Sequence, residues 1–424
     1  MIKSIKGTRD ILPAESPRWH EIEEISRKVF GLFGYREIRT PIIEETALFT
    51  KSVGEDTDIV KKEMFSFVDR GERDITLRPE GTAPVVRAYL ENNLYNTEPF
   101  QKLFYMGPMF RAERPQAGRL RQFYQIGLEA IGSSNPALDA EVISVLVKLL
   151  DSLGVVRYGL KLNNLGCPED KKKLSGSLRD IFSKDPASAG LCEDCKRRIK
   201  TNPLRLLDCK NEDCRKVVRG KYETVDFLCG ECVSQFNELT GYLGGLGIKY
   251  EMDRFIVRGL DYYTRTVFEV VQDDLGAQNS IGAGGRYDNL ISDMGGPKLG
   301  ACGFAIGVDR VVMALGKSKG ETQEQSRPDV YIAAIGPAAY RKAVLTLNEL
   351  RCKGISGAMD YESRSLKSQM RAADKAGAKY VFIIGDDEIG KGEAALRDMH
   401  TKEQWNIKFE DFGKVMKERI ETKV

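Results

Sequence analysis

The stretch from Phe104 to Gly132 constrains the fold of this chain more than any other part of the sequence. Two apolar, β-prone runs flank a polar middle with Pro115, Gly118 and four arginines. This pattern predicts a strand, a loop and a returning strand. Guanidinium groups stay protonated and match phosphate oxygens, so a loop this rich in arginine is typical of a phosphate site. The four arginines are Arg111, Arg114, Arg119 and Arg121.

Gln125 and Glu129 lie four residues apart on the returning strand, so their side chains point to the same face. If the apolar residues between them pack beneath the sheet, both face the cleft that contains Arg111. A charged hairpin on the protein surface is the alternative, and composition alone does not separate the two interpretations.

The composition is that of an ordinary globular protein, with 30% charged and 42% hydrophobic residues among 424. No apolar run of about eighteen residues is present, and the N-terminus lacks an apolar signal core. We therefore expect a cytoplasmic protein that makes no membrane contact. The net charge is only +3, so any contact with nucleic acid must depend on local basic patches.

Several common kinds of catalytic site are disfavoured. The chain has two histidines, His20 and His400, in unrelated contexts, which argues against catalysis by a histidine-based triad. Gly316–Ser318 lacks the earlier glycine of a phosphate-binding loop, and Gly282–Gly284 lacks the third glycine of a dinucleotide motif. If the protein binds ATP, it does so in neither of these ways.

The N-terminal region predicts a helix followed by a strand. Apolar residues recur at helical spacing over Pro17–Phe33, and Gly34 ends that pattern. Tyr35–Glu44 predicts a strand broken by Pro41, which favours a sheet edge or an interface.

A second candidate site lies at the end of a predicted strand, Asp74–Thr82. Glu80, Gly81 and Thr82 form its tip, and a carboxylate beside a hydroxyl suits an ammonium group. Thr82 also suits the role of cap for the helical pattern that follows, and both roles are compatible.

The segment from about Gly166 to Gly247 is basic, helix-biased and rich in cysteine. In a reducing cytoplasm, cysteine pairs of this spacing are better explained as ligands of a structural zinc ion than as disulfides. Four ligands suffice, so at least one pair is spare, and reduced cysteines without a metal are the alternative. The three pairs are Cys192 with Cys195, Cys209 with Cys214, and Cys229 with Cys232.

Strand character returns over Arg254–Val271, where Arg258 precedes Tyr262 and Tyr263. A basic residue followed by two tyrosines suits a pocket for a flat polar ring, although tyrosines of an ordinary core are the alternative. Gly300–Leu315 predicts a glycine-rich strand that runs into a helix bearing Arg310. Beyond a polar linker, alternating strands and helices predict a small α/β domain with a mixed sheet.

Four separated segments resemble the motifs of class II aminoacyl-tRNA synthetases in their histidyl form. The helix and strand over 17–44 resemble motif 1, FRAERPQAGRLRQFYQIGLE motif 2, RGLDYYTRTVFEV the histidyl signature and GACGFAIGVDRVVMAL motif 3. The small departures are Ala112 and Tyr124, at positions where relatives often carry other residues.

The resemblance implies an α+β catalytic domain with an antiparallel sheet flanked by helices, a mainly helical insertion and a C-terminal α/β domain. The expected boundaries are 1–165 and 248–316 for the catalytic domain, 166–247 for the insertion, 317–328 for the linker and 329–424 for the anticodon-binding domain.

The resemblance also implies activation of L-histidine with ATP and transfer to tRNA(His) by a homodimer. Arg111 and Arg258 are expected at the α-phosphate, Arg258 acting where related enzymes use a metal. Arg119 and Arg310 are expected at the β- and γ-phosphates, with Mg²⁺, and Phe123 against adenine. The expected histidine-binding residues are Glu80, Gly81, Thr82, Gln125, Glu129, Tyr262 and Tyr263.

Two other functions compete with this one. Paralogues of the family serve as inactive regulatory subunits of ATP phosphoribosyltransferase, but such paralogues typically lack the anticodon domain and lose the arginines that this chain retains. A zinc-dependent nucleic-acid-binding module explains the cysteines and nothing else.

Overall fold

The computed structural model describes residues 2–55, 57–116, 118–184, 188, 190–209, 211–222, 225–272, 275–276, 279–316 and 327–421. The chain folds into two compact units, Met1–Gly320 and Glu321–Val424. Most of the expected linker, residues 317–326, lies outside the described residues. None of the helices in the described part combines the length and hydropathy that crossing a membrane requires.

The first unit is built on an eight-stranded sheet with the order β1-β5-β6-β11-β10-β9-β7-β8, and a separate sheet has the order β2-β4-β3. Only the outer pairs β1/β5 and β7/β8 of the large sheet are parallel. This confirms the predicted antiparallel sheet. The strands are β1 (Arg36–Glu37), β2 (Ile43–Glu45), β3 (Phe65–Val68), β4 (Asp74–Leu77), β5 (Gln101–Phe110), β6 (Gln122–Ile131), β7 (Gly159–Asn164), β8 (Glu251–Met252), β9 (Thr264–Val271), β10 (Ser280–Arg286) and β11 (Ala301–Gly307).

Helices cover the large sheet, and a short π-helix (Ile59–Glu63) and a 3₁₀ helix (Pro203–Leu206) accompany them. The helices of the first unit are α1 (Ser16–Leu32), α2 (Thr46–Val53), α3 (Thr82–Glu91), α4 (Leu94–Thr97), α5 (Pro136–Leu153), α6 (Pro168–Lys184), α7 (Glu193–Thr201), α8 (Glu212–Tyr222), α9 (Gly230–Gly245), α10 (Leu290–Asp293) and α11 (Val308–Leu315). Helices α6 to α9 form the mainly helical insertion that was predicted.

The large sheet separates two apolar cores. Residues of α1, α5, α9 and α11 pack on one face, and residues of α3 and α10 pack on the other. On β6, Ile126 and Leu128 are fully buried in the first core, whereas Ile131 belongs to the second. Since side chains alternate along a strand, Gln125 and Glu129 share the face of the second core, as predicted.

One strand prediction is confirmed and another needs correction. Tyr35–Glu44 is broken at Pro41 into β1 and β2, each at the edge of a different sheet, as predicted. Arg254–Val271, by contrast, is a strand only from Thr264 onward. The backbone before Thr264 makes hydrogen bonds outside the sheet, since the Asp261 amide donates to the Val53 carbonyl at 3.1 Å.

The second unit has a five-stranded sheet with the order β13-β12-β14-β15-β16. Strand β12 is parallel to both of its neighbours, and the remaining pairs are antiparallel, which confirms the predicted mixed sheet. The elements are β12 (Val330–Ile335), α12 (Pro337–Cys352), β13 (Gly357–Met359), α13 (Leu366–Lys375), β14 (Tyr380–Gly385), α14 (Asp386–Lys391), β15 (Glu393–Asp398), β16 (Gln404–Lys408) and α15 (Phe412–Glu421).

A buried ion pair joins α5 to the large sheet. Arg286, only 1% exposed, donates from Nε to Asp139 Oδ1 at 3.0 Å and from Nη1 to Asp288 Oδ1 at 2.7 Å. Burial by itself lowers the pKa of Arg286, but the charges of Asp139 and Asp288 outweigh it and raise that pKa. The pair is therefore ionised and fixes the helix against the end of β10.

We expect Asp139→Ala to reduce the free energy of unfolding by about 3–5 kcal/mol, because it leaves a buried guanidinium without its main partner. Urea denaturation of the full chain, followed by circular dichroism, measures this. The matched control is Glu98→Ala, which removes an ion pair whose side chains are 61% and 58% exposed, and whose loss should leave the midpoint unchanged. Equal effects of the two variants would contradict the account.

Candidate functional site

A cavity of about 180 Å³ opens on the second-core face of the large sheet, between β6, β10, β11 and the hairpin loop that follows β5. Side chains and backbone of all these elements line it. Six of the residues expected from the sequence are among them: Arg111, Arg119, Phe123, Gln125, Arg258 and Arg310.

Backbone carbonyl groups hold two of the cavity arginines in place. Arg111 Nε donates to the Pro79 carbonyl at 2.9 Å, and its guanidinium lies 5.3 Å from the centre of the Phe123 ring. Arg310 donates from Nε to the Gly118 carbonyl at 3.0 Å and from Nη1 to the Ser280 carbonyl at 2.6 Å. Arg111 Nη1 also lies 3.7 Å from the Glu113 carboxylate, whereas both of these acceptors of Arg310 are neutral.

The other two arginines lie beside carboxylates. Arg119 forms an ion pair with Glu113. Arg258 lies 3.6 Å from the Glu269 carboxylate and 5.9 Å from the centre of the Tyr263 ring. Its Nε is buried and has no hydrogen-bond partner among the described residues, so this arginine retains an unused donor.

The four arginines make the cavity strongly cationic. Burial lowers the pKa of Arg310, and the nearby charges of Arg119 and Arg111 lower it further. Burial likewise lowers the pKa of Arg111. Guanidinium groups remain protonated despite such shifts, so the cavity suits a polyanion such as a triphosphate.

A buried network of acidic and hydroxyl side chains, which we call the acidic pocket, lies next to these arginines, where the chain passes from β4 to α3. The Glu80 carboxylate accepts hydrogen bonds from the amides of Thr82 at 2.7 Å and Ala83 at 2.9 Å, and from the Tyr262 hydroxyl at 3.4 Å. The Thr82 hydroxyl donates to Glu129 Oε1 at 2.7 Å. The expected histidine-binding residues Glu80, Thr82, Glu129 and Tyr262 thus form one connected network.

Buried aromatic rings surround this network. The rings of Tyr262 and Tyr263 lie 4.7 Å apart, and those of Tyr262 and Tyr287 lie 5.8 Å apart. A Cβ atom at Gly81 would overlap the ring of Tyr105. Gly81 therefore makes room for an aromatic wall, and its expected contact with substrate stays a prediction.

The pKa of Glu129 is strongly perturbed. Burial raises its pKa to about 8, hydrogen bonds from Tyr287 and Thr82 oppose that shift, and the charge of Glu80 adds to it. Burial also raises the pKa of Glu80. Two carboxyl groups in so little solvent favour a ligand that brings positive charge or hydrogen-bond donors.

Sequence reasoning missed Tyr105 and Tyr287. The Tyr287 hydroxyl donates to Glu129 Oε2, and Tyr287 is 1% exposed. The available signal was its position directly after Arg286, in a segment that continues the histidyl signature. No signal in the sequence pointed to Tyr105, because the alternation of side chains along β5 is equally consistent with a tyrosine of an ordinary core.

The cysteines form two clusters, and all nine thiols of the chain, each among the described residues, are free of disulfides. The ligand atoms of Cys192, Cys195, Cys209 and Cys214 lie within 4.8 Å of one another. The third predicted pair, Cys229 and Cys232, lies apart from these four cysteines. It lies with Cys167 and Asp170 in a second cluster, also within 4.8 Å.

Comparisons with known proteins show the family of this chain. The family model described as histidyl-tRNA synthetase matches residues 7–170 and 210–311, and the anticodon binding domain model matches 329–419. The histidine--tRNA ligase of Halothermothrix orenii is 48% identical over 406 residues, covering 96% of both chains. That of Geobacter sulfurreducens is 49% identical over 407 residues, covering 96% of this chain and 97% of the relative.

A solved structure of apo S. aureus histidyl-tRNA synthetase superimposes with a TM-score of 0.78 at 36% identity, covering 98% of this chain and 100% of that one. The fold is therefore that of a class II aminoacyl-tRNA synthetase, with an antiparallel sheet that carries an arginine-lined cavity. Within that class, the chain belongs to the histidyl-tRNA synthetase family.

We expect the stability of the free protein to fall as the pH rises from about 5 to 8. The pKa of Glu129 is raised from 4.5 to about 8 in the folded state, so the folded chain binds more protons than the unfolded chain in this window. Deprotonation therefore favours unfolding. Urea midpoints measured across the window should decrease in the wild type.

The variant Glu129→Gln removes the titrating group and should flatten this dependence. Glu91→Gln, an exposed change on α3, is the matched control and should keep the wild-type slope. A slope that survives unchanged in Glu129→Gln would show that this carboxyl group is not the cause.

Proposed function

We propose that this chain activates L-histidine with ATP, forming histidyl-adenylate and diphosphate, and then transfers the histidyl group to the 3′ end of tRNA(His). The observation that carries the proposal is the adjacency of a four-arginine cavity and a buried acidic pocket on one face of the sheet. An inactive regulatory subunit has no need for both halves of such a site.

The arginines supply the electrostatic part of the first reaction. When the histidine carboxylate attacks the α-phosphorus, negative charge builds on the phosphate oxygens, and fixed cations stabilise it. We assign Arg111 and Arg258 to the α-phosphate, because Arg111 is fixed by a carbonyl and Arg258 keeps a buried unused donor. Arg119 and Arg310 hold the β- and γ-phosphates, and Phe123 stacks on adenine.

Mg²⁺ fits the same cavity. This ion binds through one or two carboxylates together with substrate phosphates, and Glu113 and Asp309 place carboxylates in the cavity lining. When bound with ATP, Mg²⁺ neutralises phosphate charge. Glu113 also orients Arg119, so the same carboxylate organises a phosphate-binding cation.

The acidic pocket selects histidine. The imidazole ring offers one N–H donor and one acceptor nitrogen, and we assign their recognition to Glu129 and Tyr263. Glu80, Thr82 and Gln125 hold the ammonium group, with Tyr262 lining the pocket. Gln125 fits this role because its Oε1 is buried without a hydrogen-bond partner among the described residues.

The transfer step requires no histidine side chain of the protein, since neither His20 nor His400 lines the cavity. The phosphate of the adenylate is then the base that accepts the proton of the attacking ribose hydroxyl. The second unit, which matches the anticodon-binding domain model, binds the anticodon. We retain the predicted division into catalytic domain, insertion, linker and anticodon domain, and we place the reaction in the cytoplasm.

The Cys192, Cys195, Cys209 and Cys214 cluster suits a structural zinc ion. Tetrahedral zinc with Zn–S bonds of about 2.3 Å separates its sulfurs by about 3.8 Å, and Cys192 Sγ lies 3.9 Å from Cys209 Sγ. The Cys192 amide donates to Cys214 Sγ at 3.2 Å. We propose that zinc at this position stabilises the small core of the insertion.

The small sheet supports homodimerisation. Its strands expose Ile43 (48%), Phe67 (46%) and Val68 (62%), next to the motif 1 proline Pro41. We expect a sedimentation-equilibrium mass of twice 47.5 kDa, and Ile43→Lys should shift it toward one chain. Val156→Lys, at an exposed apolar residue outside this sheet, should have no effect. A monomeric wild type would refute the dimer.

We expect Arg258→Ala to slow histidine-dependent exchange of diphosphate into ATP by about 10²–10³-fold, because it removes a cation that acts on the transition state. Histidine affinity, measured by calorimetry, should change much less. Arg114→Ala, an exposed arginine of the hairpin loop outside the cavity lining, is the matched control and should retain wild-type exchange. Near-normal exchange by Arg258→Ala would overturn the assignment.

A further inference from the structure

The second cluster consists of Cys167, Asp170, Cys229 and Cys232, and its two halves come from opposite ends of the insertion. Cys167 and Asp170 follow β7, where the chain leaves the large sheet. Cys229 and Cys232 begin α9, which leads back to β8. Three thiol sulfurs and a carboxylate oxygen, all within 4.8 Å of one another, form a ligand set of the size and type that tetrahedral zinc accepts.

The backbone around the cluster is organised to bring these ligands together. The Asp170 carboxylate accepts from the Cys229 amide at 3.0 Å and from the Cys167 amide at 3.3 Å. Gly166 has a φ of +75°, and a Cβ atom there would overlap Asp170, so the approach requires glycine. The Cys232 amide donates to Cys229 Sγ at 3.5 Å, which orients this sulfur toward the start of α9.

Two helix N-termini converge on the cluster. Cys167 directly precedes α6, Asp170 lies in its first turn, and Cys229 is the N-cap residue of α9. The positive ends of both helices stabilise the negative charge of a thiolate ligand set. The ligands are close enough for one ion, whereas an iron–sulfur cluster holds its cysteines farther apart. The geometry therefore favours a single cation.

The cluster is coupled to the histidine pocket through the residue next to Asp170. Lys171 Nζ donates to the carbonyl groups of Asp261 and Tyr263, each at 2.8 Å. Those carbonyls belong to the irregular segment that carries Tyr262. An ion that fixes the first turn of α6 thereby fixes Lys171, and through it the pocket wall.

We propose that Cys167, Asp170, Cys229 and Cys232 bind a second zinc ion, which closes the base of the insertion and positions the tyrosine wall of the amino-acid pocket through Lys171. Closure of the long loop between the two ligand pairs adds stability, because the unfolded chain loses conformational freedom when cross-linked. The metal site itself is independent of the proposed function, whereas the effect on histidine rests on it.

The test is the zinc content of the full chain, purified without chelators and measured by mass spectrometry. We expect two ions per chain in the wild type and one in Cys232→Ser. The variant Asp170→Cys replaces one zinc ligand with another and should keep both ions. Cys195→Ser removes only the ion of the other cluster and serves as the matched control. Full zinc retention by Cys232→Ser would overturn the proposal.

Cobalt provides a spectroscopic signature. Cys195→Ser reconstituted with Co²⁺ should show the thiolate charge-transfer and tetrahedral d–d bands of the second cluster alone. Their absence would contradict the site. If Cys232→Ser does not fold, the wild type is titrated with a thiol-specific mercurial, and a zinc indicator measures the number of ions released. Release of two ions supports the proposal, and release of fewer overturns it.

Histidine binding tests the coupling. Cys232→Ser should weaken calorimetric histidine affinity by about tenfold, in line with the loss of an outer support, and leave ATP affinity within about twofold. Cys195→Ser should leave both affinities unchanged. Loss of zinc with unchanged histidine affinity would refute the coupling and retain the metal site. If wild-type chain binds no histidine, the proposed function fails, while the zinc count still stands.

Discussion

The burial of Glu129 is the constraint on which the rest of the site depends. This carboxyl group is 1% exposed, yet it accepts hydrogen bonds from Thr82 of α3 and from Tyr287 beyond β10. A buried carboxyl group is costly unless hydrogen-bond partners surround it, so the elements that supply those partners must meet above β6. These hydrogen bonds thereby fix the side chains of the pocket before a ligand binds. The ligand then supplies hydrogen-bond partners for the polar groups that the protein leaves without one.

In the cavity that suits phosphate, by contrast, the protein leaves charge uncompensated. Arg310 is held by two neutral carbonyl groups, so its charge remains available to a ligand. Nearby cations raise the energy of the empty cavity, and a triphosphate relieves that repulsion. The same sheet thus presents an acidic pocket and a cationic cavity side by side, with Arg258 and Tyr263 in contact at their boundary.

Sequence periodicity predicted the parts of the site that lie on regular strands. Gln125 and Glu129 were placed on one face because side chains alternate, and the hairpin arginines were found because turn residues frame them. Tyr287 was missed because its partner Glu129 is distant in the sequence. The segment before Thr264 was wrongly extended as a strand, since the capture of its carbonyl groups by Lys171 is invisible locally.

The cysteines likewise have partners that are distant in the sequence and that local spacing does not reveal. Spacing identified the pairs, but it could not assign Cys229 and Cys232 to partners on the far side of the insertion. Asp170 gave no signal, because aspartate in the first turn of a helix is ordinary. The roles of the individual site residues stay predictions, whereas the fold and family follow from several motifs in the correct order.

If one face of the sheet joins histidine selection to adenylate chemistry, as proposed, the protein exchanges labelled diphosphate into ATP only when histidine is present. The assay uses the full chain without tRNA and compares histidine with each of the other standard amino acids. We expect exchange with histidine alone. Absence of exchange from a folded protein that binds ATP, or equal exchange with other amino acids, would contradict it.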